Sequence, residues 1–222
     1  MTTFNLKRKI RPLYIPILKL FYYFRAPKRY RYIFKNIKNI KAKNILEVGT
    51  WNGSRALEMI KCAQRFTSPS DISYYGFDLF ELIDDDIYKE ELSKYPPTKQ
   101  EVQKKIGKTE AQIYLFQGNT KETLPEAIKK LPKMDFIFID GGHSIETIQS
   151  DWENIKTLMH ANTVVLFDDY WRNRVDVGCK AIVDNINEDI FNVEILPIVD
   201  IFENKDFGHL EIQFAKVTLR IV

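Results

Sequence analysis

The hydrophobic residues from position 43 onwards form short apolar runs separated by segments with helical spacing. Such short runs are typical of buried strands, and five of them precede residue 170, at 44–48, 74–78, 113–116, 135–140 and 163–167. Between the last two runs, apolar residues recur at the spacing of one helix face: Ile145, Ile148, Trp152, Ile155 and Leu158. Strands that alternate with helices predict an α/β fold with a mainly parallel sheet covered on both faces.

The end of the chain continues this pattern without any sign of a second domain. A short helix is expected near 179–186, and two further strands at about 193–199 and 210–217, which makes seven strands in all. One connection is long, because residues 79–110 are rich in charge and contain the break Tyr95-Pro-Pro-Thr98. An insertion near strand ends is often a lid or a substrate wall, although a solvated helical hairpin fits the same residues.

Charge divides the chain into a basic arm and an acidic domain. The 222 residues carry a net charge of +3, but residues 1–46 contain 13 Lys or Arg and no acid, whereas the remaining residues carry a net −10. We therefore place a basic amphipathic arm at residues 1–42 and a domain with its insertion at residues 43–222. Such an arm predicts an anionic partner, either a membrane surface or nucleic acid, unless it docks against its own acidic domain.

The arm is predicted to lie on a membrane rather than to cross one. Its longest apolar stretch, at 13–24, is interrupted by Pro16 and Lys19 and is shorter than the roughly 20 residues that a spanning helix needs. Apolar residues recur with helical spacing among basic ones: Ile10, Leu13, Ile17, Phe21 and Phe24. We expect reversible attachment of residues 1–35 to anionic membranes. Without signal-peptide features, and with only two cysteines, the chain is expected to be cytoplasmic and peripheral on the membrane.

Glycines and a carboxylate follow the first two predicted strands, at the edge where parallel sheets bind ligands. The first strand runs into Glu47-Val-Gly-Thr-Trp-Asn-Gly-Ser54, in which Gly49 and Gly53 let the backbone turn tightly and approach a ligand. Asp78 ends the second strand, where a carboxylate can accept hydrogen bonds from both hydroxyls of a ribose. A structural turn and a helix cap are the alternatives, but the pairing of the two features favours a ligand.

Three acidic residues follow the fourth and fifth predicted strands. Asp140, Asp168 and Asp169 should converge at one edge of the pocket, because the two strands are expected to be neighbours. Three carboxylates repel each other strongly unless a cation neutralises them, and oxygen ligands suit Mg²⁺ or a similar hard divalent ion. Alternatively, Asp140 caps a helix, and Asp168 and Asp169 are a solvated pair.

Four segments resemble the motifs of class I S-adenosylmethionine-dependent methyltransferases. Segments 45–54 and 75–78 carry the general resemblance. Phe138-Ile-Asp-Gly-Gly-His-Ser144 and Val165-Leu-Phe-Asp-Asp-Tyr170 are similar to the "IDGxH" and "DDY" motifs of a subgroup of small-molecule and sugar O-methyltransferases. The resemblance covers about residues 43–218. It implies a Rossmann-like sheet of seven mostly parallel strands with an antiparallel last strand, and helices on both faces.

The resemblance also implies which residues bind the cofactor. Gly49 and Gly53 would line S-adenosylmethionine, and Glu47 would help to fix the same loop. Asp78 would hold the ribose. Asn119, after the third strand, would lie beside the adenine, although an acidic residue is commoner there in class I enzymes.

The implied reaction is direct displacement at the methyl group, with the substrate hydroxyl held by a metal. In similar enzymes the three acids bind this metal, which lowers the pKa of the hydroxyl, and Asp140 also borders the cofactor. His143 and Asp140 are therefore the candidate catalytic residues, with His143 as the base that removes the proton. His143 could instead orient the following helix, since Gly142 and Trp171 stand where some relatives have an acid and a histidine.

The sequence thus predicts a metal-assisted O-methyltransferase that acts on a hydroxyl of a sugar, a glycan or another small molecule. An RNA methyltransferase that binds through the basic arm is less favoured, because Asp140-Gly-Gly-His143 replaces the NPPY-like motif of enzymes that modify base nitrogens. A nonenzymatic cofactor-binding or membrane-adaptor protein could keep the fold. It would not need the intact glycine and acidic positions.

Overall fold

Eight strands form one mixed sheet in the computed structural model, which describes residues 27–91, 95–204 and 208–220. The strands are β1 (Asn44–Val48), β2 (Ser73–Asp78), β3 (Gln112–Gln117), β4 (Phe136–Ile139), β5 (Val164–Trp171), β6 (Phe191–Ile195), β7 (Asp200–Asn204) and β8 (Gly208–Leu219). Their order across the sheet is β3-β2-β1-β4-β5-β8-β6, and β7 pairs with β8. This order confirms the predicted Rossmann-like α/β class.

The sheet is parallel on one side and antiparallel on the other. The strands β3, β2, β1, β4 and β5 run in the same direction, and β8 lies antiparallel between β5 and β6. The sequence predicts seven strands, and β7 is the additional one. It exists because β8 is 12 residues long, so that its first half pairs with β7 and its second half with β6.

Seven α-helices accompany the sheet within the described ranges. They are α1 (Arg31–Ile40), α2 (Ser54–Ala63), α3 (Asp85–Glu90), α4 (Lys99–Ile106), α5 (Thr120–Ala127), α6 (Ile145–Ile155) and α7 (Lys180–Val183). The predicted apolar stripe forms α6, which buries Ile148 and Trp152. Ser144 caps this helix, because its side chain accepts a hydrogen bond from the N–H of Thr147 at 3.3 Å.

The core consists of two apolar layers, one on each face of the sheet. Neighbouring residues of a strand alternate between them, so that Leu46 belongs to the first layer and Ile45 to the second. The first layer includes residues of α5, α6 and α7, and the second includes residues of α1, α2 and α4. Burial on both faces explains why the central strands are continuous apolar runs.

The described end of the basic arm is part of the fold. Ile33 and Ile37 of α1 are fully buried in the second layer, whereas Lys35 and Lys38 are exposed. The structure therefore shows docking against the domain for this end of the arm, and the folded part begins before the predicted residue 43. The amphipathic helix predicted around residues 10–24 lies outside the described residues. Nothing helical in the described ranges has the length and hydrophobicity to cross a membrane.

The insertion at 79–110 has a packed half and an exposed half. Its second helix, α4, begins with a capping box of Thr98 and Glu101 and buries Val102 in the second layer. Its first helix, α3, buries no residue, and Ile87 of this helix lines the cavity described below. The interpretation of the insertion as a cavity wall therefore describes its first helix. The alternative, a solvated helical hairpin, does not describe the second helix, because α4 is packed against the core.

Candidate active site

A cavity of about 340 Å³ lies at the carboxyl ends of the parallel strands. Seven predicted site residues line it: Gly49, Asp78, Asn119, Asp140, His143, Asp168 and Asp169. The other two, Glu47 and Gly53, are not part of its lining. Parallel topology brings these residues together, because each follows or ends a strand that points towards the same edge of the sheet.

The loop after β1 needs glycine at both predicted positions, for different reasons. Gly49 has a φ of +89°, and a Cβ there would lie 2.0 Å from the carbonyl oxygen of Asp140. Gly53 has a φ of +67°, and a Cβ there would lie 2.9 Å from a methyl carbon of Val102 in α4. Gly49 therefore shapes the cavity, whereas Gly53 allows the insertion to pack closely against the start of α2.

Asp78 fixes the same loop through its carboxylate. Its oxygens accept hydrogen bonds from the N–H groups of Trp51 at 2.6 Å and Phe80 at 2.7 Å. Burial raises the pKa of Asp78, although these two hydrogen bonds favour the ionised form. Trp51 has a φ of +45°, which a tryptophan rarely adopts, so the Asp78 contact holds a strained turn in place.

Glu47 supports the loop from below. The side chain is fully buried and accepts a hydrogen bond from the hydroxyl of Tyr74. The same hydroxyl lies 3.2 Å from the hydroxyl of Thr50, so Tyr74 links Glu47 to the loop. The second carboxylate oxygen of Glu47 has no hydrogen-bond partner among the described residues. Burial raises the pKa of Glu47 to about 8.

The two residues that follow β3, Gly118 and Asn119, also line the cavity. Gly118 has a φ of +132°, and Asn119 caps α5 by accepting a hydrogen bond from the N–H of Lys121 at 3.0 Å. We call the group of Gly49, Trp51, Asp78, Gly118 and Asn119 the cofactor half of the cavity, after the cofactor that the sequence predicts here.

A β-bulge places Asp168 and Asp169 at the opposite half. The sequence predicts that the fifth strand ends at Phe167, but β5 continues to Trp171, and its pairing with β8 shifts by one residue between Phe167 and Tyr170. Asp169 has a φ of +57° within this bulge. The bulge lets two consecutive carboxylates reach one cavity, whereas consecutive residues of a regular strand point to opposite faces.

Asp140, Asp168 and Asp169 form a carboxylate cluster. Each offers an oxygen, and these three oxygens lie within 4.8 Å of one another. Asp169 accepts hydrogen bonds from Nε2 of His143 at 2.9 Å and from Nε1 of Trp171 at 3.0 Å. No side-chain hydrogen bond to Asp140 occurs within the described ranges, and burial together with the charges of Asp168 and Asp169 raises its pKa well above the ordinary value.

Both ring nitrogens of His143 make hydrogen bonds. Nδ1 lies 2.8 Å from the backbone carbonyl oxygen of Glu91, and Nε2 bonds Asp169. Burial lowers the pKa of His143, but Asp169 and the Glu91 carbonyl outweigh this effect and raise it to about 9. The ring is therefore an imidazolium at neutral pH, and its partner Asp169 has a lowered pKa despite burial.

Arg29 is a site residue that sequence reasoning missed. The residue is buried, and its guanidinium donates to Asp168 from Nε at 2.8 Å and from Nη2 at 3.1 Å, and to Asp200 from Nη1 at 3.2 Å. Asp200 also accepts the N–H groups of Lys28 and Arg29. Nothing in the sequence singles Arg29 out, because it is one of many basic residues in the arm, and its partners are 139 and 171 residues away.

Glu91 is the second residue that sequence reasoning missed. Its carboxylate accepts hydrogen bonds from the N–H and hydroxyl of Ser144 and from the hydroxyl of Thr147, at 2.9, 2.8 and 2.5 Å. Burial would raise the pKa of Glu91, but these hydrogen bonds lower it. The insertion thereby holds both the start of α6 and the ring of His143, and no sequence motif marks this contact.

A known sequence family matches more than half of this chain. A sequence model of a family described as a methyltransferase domain matches residues 46–170, which extend from β1 to the bulge of β5. The chain belongs to this family. No curated protein matches the methyltransferase by sequence.

Solved structures share its fold. The O-methyltransferase TomG from Streptomyces achromogenes, involved in tomaymycin synthesis and solved with S-adenosylmethionine, is 12% identical with a TM-score of 0.59, over 86% of this chain and 79% of TomG. The O-methyltransferase NovP is 20% identical with a TM-score of 0.58, over 82% and 76%. An O-methyltransferase from Bacillus cereus, solved with S-adenosylhomocysteine, is 15% identical with a TM-score of 0.55, over 87% and 81%. The family model, together with this shared fold, confirms the resemblance to class I methyltransferases.

Proposed function

We propose that the methyltransferase transfers the methyl group of S-adenosylmethionine to a hydroxyl of a sugar, a glycan or another small molecule, with help from a divalent cation. The observation that carries the proposal is the convergence of the cofactor half and the carboxylate cluster on one cavity. TomG, NovP and the Bacillus cereus protein are O-methyltransferases, and the first and third were solved with S-adenosylmethionine or S-adenosylhomocysteine, which supports the same reaction class.

Three features of the cofactor half support S-adenosylmethionine as its ligand. Gly49 leaves a space beside the backbone of Asp140 that any Cβ would fill. Each oxygen of Asp78 accepts one backbone N–H and retains capacity to accept a ribose hydroxyl. Asn119 lies at the cavity wall after β3, where the adenine would be held. When bound, S-adenosylmethionine supplies an electrophilic methyl group on its sulfonium.

The carboxylate cluster fits a hard divalent cation such as Mg²⁺. Its members supply oxygen donors close to one another, and the carboxylate of Asp140 has no hydrogen-bond donor on the described part of the chain. Asp140, Asp168 and Asp169 would hold the ion, which when bound would lower the pKa of the acceptor hydroxyl. The acceptor is accordingly expected on the Asp140 side of the cavity.

Asp140 and His143 remain the candidate catalytic residues, with different tasks. The side chain of Asp140 lines the cavity without a hydrogen-bond donor from the described residues, so in its ionised form it can accept the hydroxyl proton directly. His143 is engaged at both nitrogens and can accept a proton only after releasing one. We therefore assign proton removal to Asp140 and the orientation of Asp169 to His143.

Binding and turnover measurements test the proposal separately. Calorimetry should show S-adenosylhomocysteine binding to the full chain. Asp140→Asn should retain this binding and lose methyl transfer to a panel of sugars and hydroxylated small molecules, assayed with labelled S-adenosylmethionine. EDTA should lower transfer and Mg²⁺ should restore it. No binding of S-adenosylhomocysteine would contradict the proposed enzyme, and transfer that is insensitive to EDTA would remove the cation from it.

We also propose that the arm attaches the enzyme to anionic membranes. Lys35, Lys38 and Lys41 are exposed on or beside α1, and six further Lys or Arg residues precede position 27. A basic residue near an anionic surface contributes about 1 kcal/mol. A chain without residues 1–26 keeps Arg29 and α1, and should float less with anionic liposomes than the full chain. Equal flotation of both chains would contradict membrane attachment.

A further inference from the structure

The guanidinium of Arg29 is hydrogen-bonded to Asp168, one of the three proposed cation ligands. Both oxygens of Asp168 accept hydrogen bonds from the guanidinium, at 2.8 and 3.1 Å, in the paired geometry that arginine makes with carboxylates. Neither side chain is open to solvent, since their exposed fractions are 5% and 2%. The contact is thus a built part of the cavity wall and not a surface ion pair.

A divalent cation and this guanidinium need the same oxygens. An ion held by the whole cluster takes one oxygen from Asp168, and that oxygen already receives an N–H of Arg29. Two positive groups at one buried carboxylate repel each other strongly, because little water is present to screen them. The carboxylate of Asp140, by contrast, receives no hydrogen bond from any residue that the structure describes, and is open to an ion.

We infer that Arg29 is an internal competitor of the divalent cation, so that cation binding and docking of the Lys28–Tyr30 segment exclude each other. This inference rests on the cation site of the proposed function. It adds Arg29 to the active centre as the residue that sets the affinity of the cluster for an ion. When no ion is bound, Arg29 supplies the positive charge that Asp168 requires inside the protein.

Movement of Arg29 would change the cavity as well as the ion site. The N–H groups of Lys28 and Arg29 bind the Asp200 carboxylate, at 2.8 and 2.9 Å, so the backbone of the segment is fixed by the same network. Tyr30 lines the cavity, stacks on Phe214, and lies under the guanidinium of Arg55, whose centre is 3.8 Å from the ring. Release of Arg29 would therefore loosen a wall of the cavity.

Mn²⁺ titrations of single variants test the competition. In calorimetry, Arg29→Ala should bind Mn²⁺ at least about tenfold more tightly than the wild-type chain, because one close positive charge is gone. Lys28→Ala is the matched control: it removes the same charge one residue away, and Lys28 uses only its backbone N–H in the network. Its affinity for Mn²⁺ should equal that of the wild type. Equal affinities in all three proteins would overturn the inference.

Hydrogen exchange on the wild-type chain gives a second readout that does not depend on the stability of a variant. The amides of Lys28 and Arg29 are protected by Asp200, and they should exchange faster when Mn²⁺ saturates the protein. The amide of Ile37, inside α1, should not change. Unchanged exchange at Lys28 and Arg29 under saturating Mn²⁺ would overturn the inference.

Two further measurements separate this inference from the proposed function. Asp140→Asn should weaken Mn²⁺ binding in the Arg29→Ala background, which locates the ion in the carboxylate cluster. Absence of Mn²⁺ binding in every variant would contradict the cation site and the competition together. S-adenosylhomocysteine binding, measured in the same samples, reports on the cofactor half separately from the cation site.

Discussion

The cofactor half and the carboxylate cluster share one cavity but are held by different kinds of contact. In the cofactor half, a carboxylate binds backbone N–H groups of nearby turns, as Asp78 does with Trp51 and Phe80. In the cluster, charged side chains bind other charged side chains from remote segments, as Arg29 does with Asp168. The first half depends on backbone shape and the second on charge balance. Substitutions should therefore impair ligand binding in one half and folding stability in the other.

The largest effect is expected from a substitution that changes backbone shape. Gly49→Ala would place a Cβ 2.0 Å from the backbone of Asp140 at a positive φ, so we expect no measurable S-adenosylhomocysteine binding by calorimetry. Gly107→Ala is the control, because a Cβ there meets nothing within 4 Å. Retained binding in Gly49→Ala would show that the loop adapts and that backbone shape does not control this half.

Removal of a charge from the cluster should affect stability next most strongly. Asp168→Asn removes the closer of the two carboxylates that pair with the buried guanidinium of Arg29 and leaves the Asp200 pair, and urea unfolding should show a loss of about 3 kcal/mol. Asp71→Asn, which breaks an exposed pair with Lys43, should cost less than about 1 kcal/mol. If the two losses were equal, charge balance would not distinguish the cluster from the surface.

Glu47 shares one property with each region. It supports the loop of the cofactor half, and it is a buried ionisable group like those of the cluster. Its pKa is about 8 in the fold and 4.5 ordinarily, so folding favours the protonated form. This contribution to stability is fully present below about pH 4.5 and is lost as the pH rises through 8. Glu47→Gln should therefore be close to the wild type at pH 5 and more stable by on the order of 2 kcal/mol at pH 8, in urea unfolding.

Glu110→Gln, at an exposed position, serves as the control for this pH series. It should follow the wild type at both pH values. A Glu47→Gln curve parallel to the wild type would mean that the carboxyl does not gain a proton on folding.

The smallest effect is expected at Asn119. Asn119→Ala removes the cap of α5, so thermal unfolding should show a loss of about 1 kcal/mol. Asn119→Asp keeps an oxygen for the N–H of Lys121 and should restore the stability. Calorimetry of the same two variants should show weaker S-adenosylhomocysteine binding in the alanine variant than in the aspartate variant. Identical binding in both would place the adenine elsewhere.

The cofactor half was predictable because its signals are local. A glycine that must turn, such as Gly49, and an acid that ends a strand, such as Asp78, lie at fixed places in a strand–turn–helix pattern. The positions of Asp140, Asp168 and Asp169 followed from parallel topology in the same way. The strands and α6 were predictable because their apolar periodicity is determined by burial.

The rest depends on contacts between segments that are far apart in the chain. Arg29 and Glu91 have no local pattern, because any basic residue of the arm or any acid of the insertion looks equivalent until the fold selects one. The bulge at Asp169 was missed for a related reason. It is determined by the pairing of β5 with β8, which lies more than 40 residues further along the chain.

The bulge in β5 also makes the number of residues in this strand as important as their identity. Phe167 pairs with Ala215 and Tyr170 with Gln213, so β5 holds one residue more than β8 between these pairs. A single deletion at position 169 would close the ladder and align the following side chains without loss of strand pairing. The chain would then lose Asp169 together with the bulge, and Asp168 would follow the ordinary alternation of a strand. Alignments of this family are therefore best judged by the length of the segment between Phe167 and Tyr170.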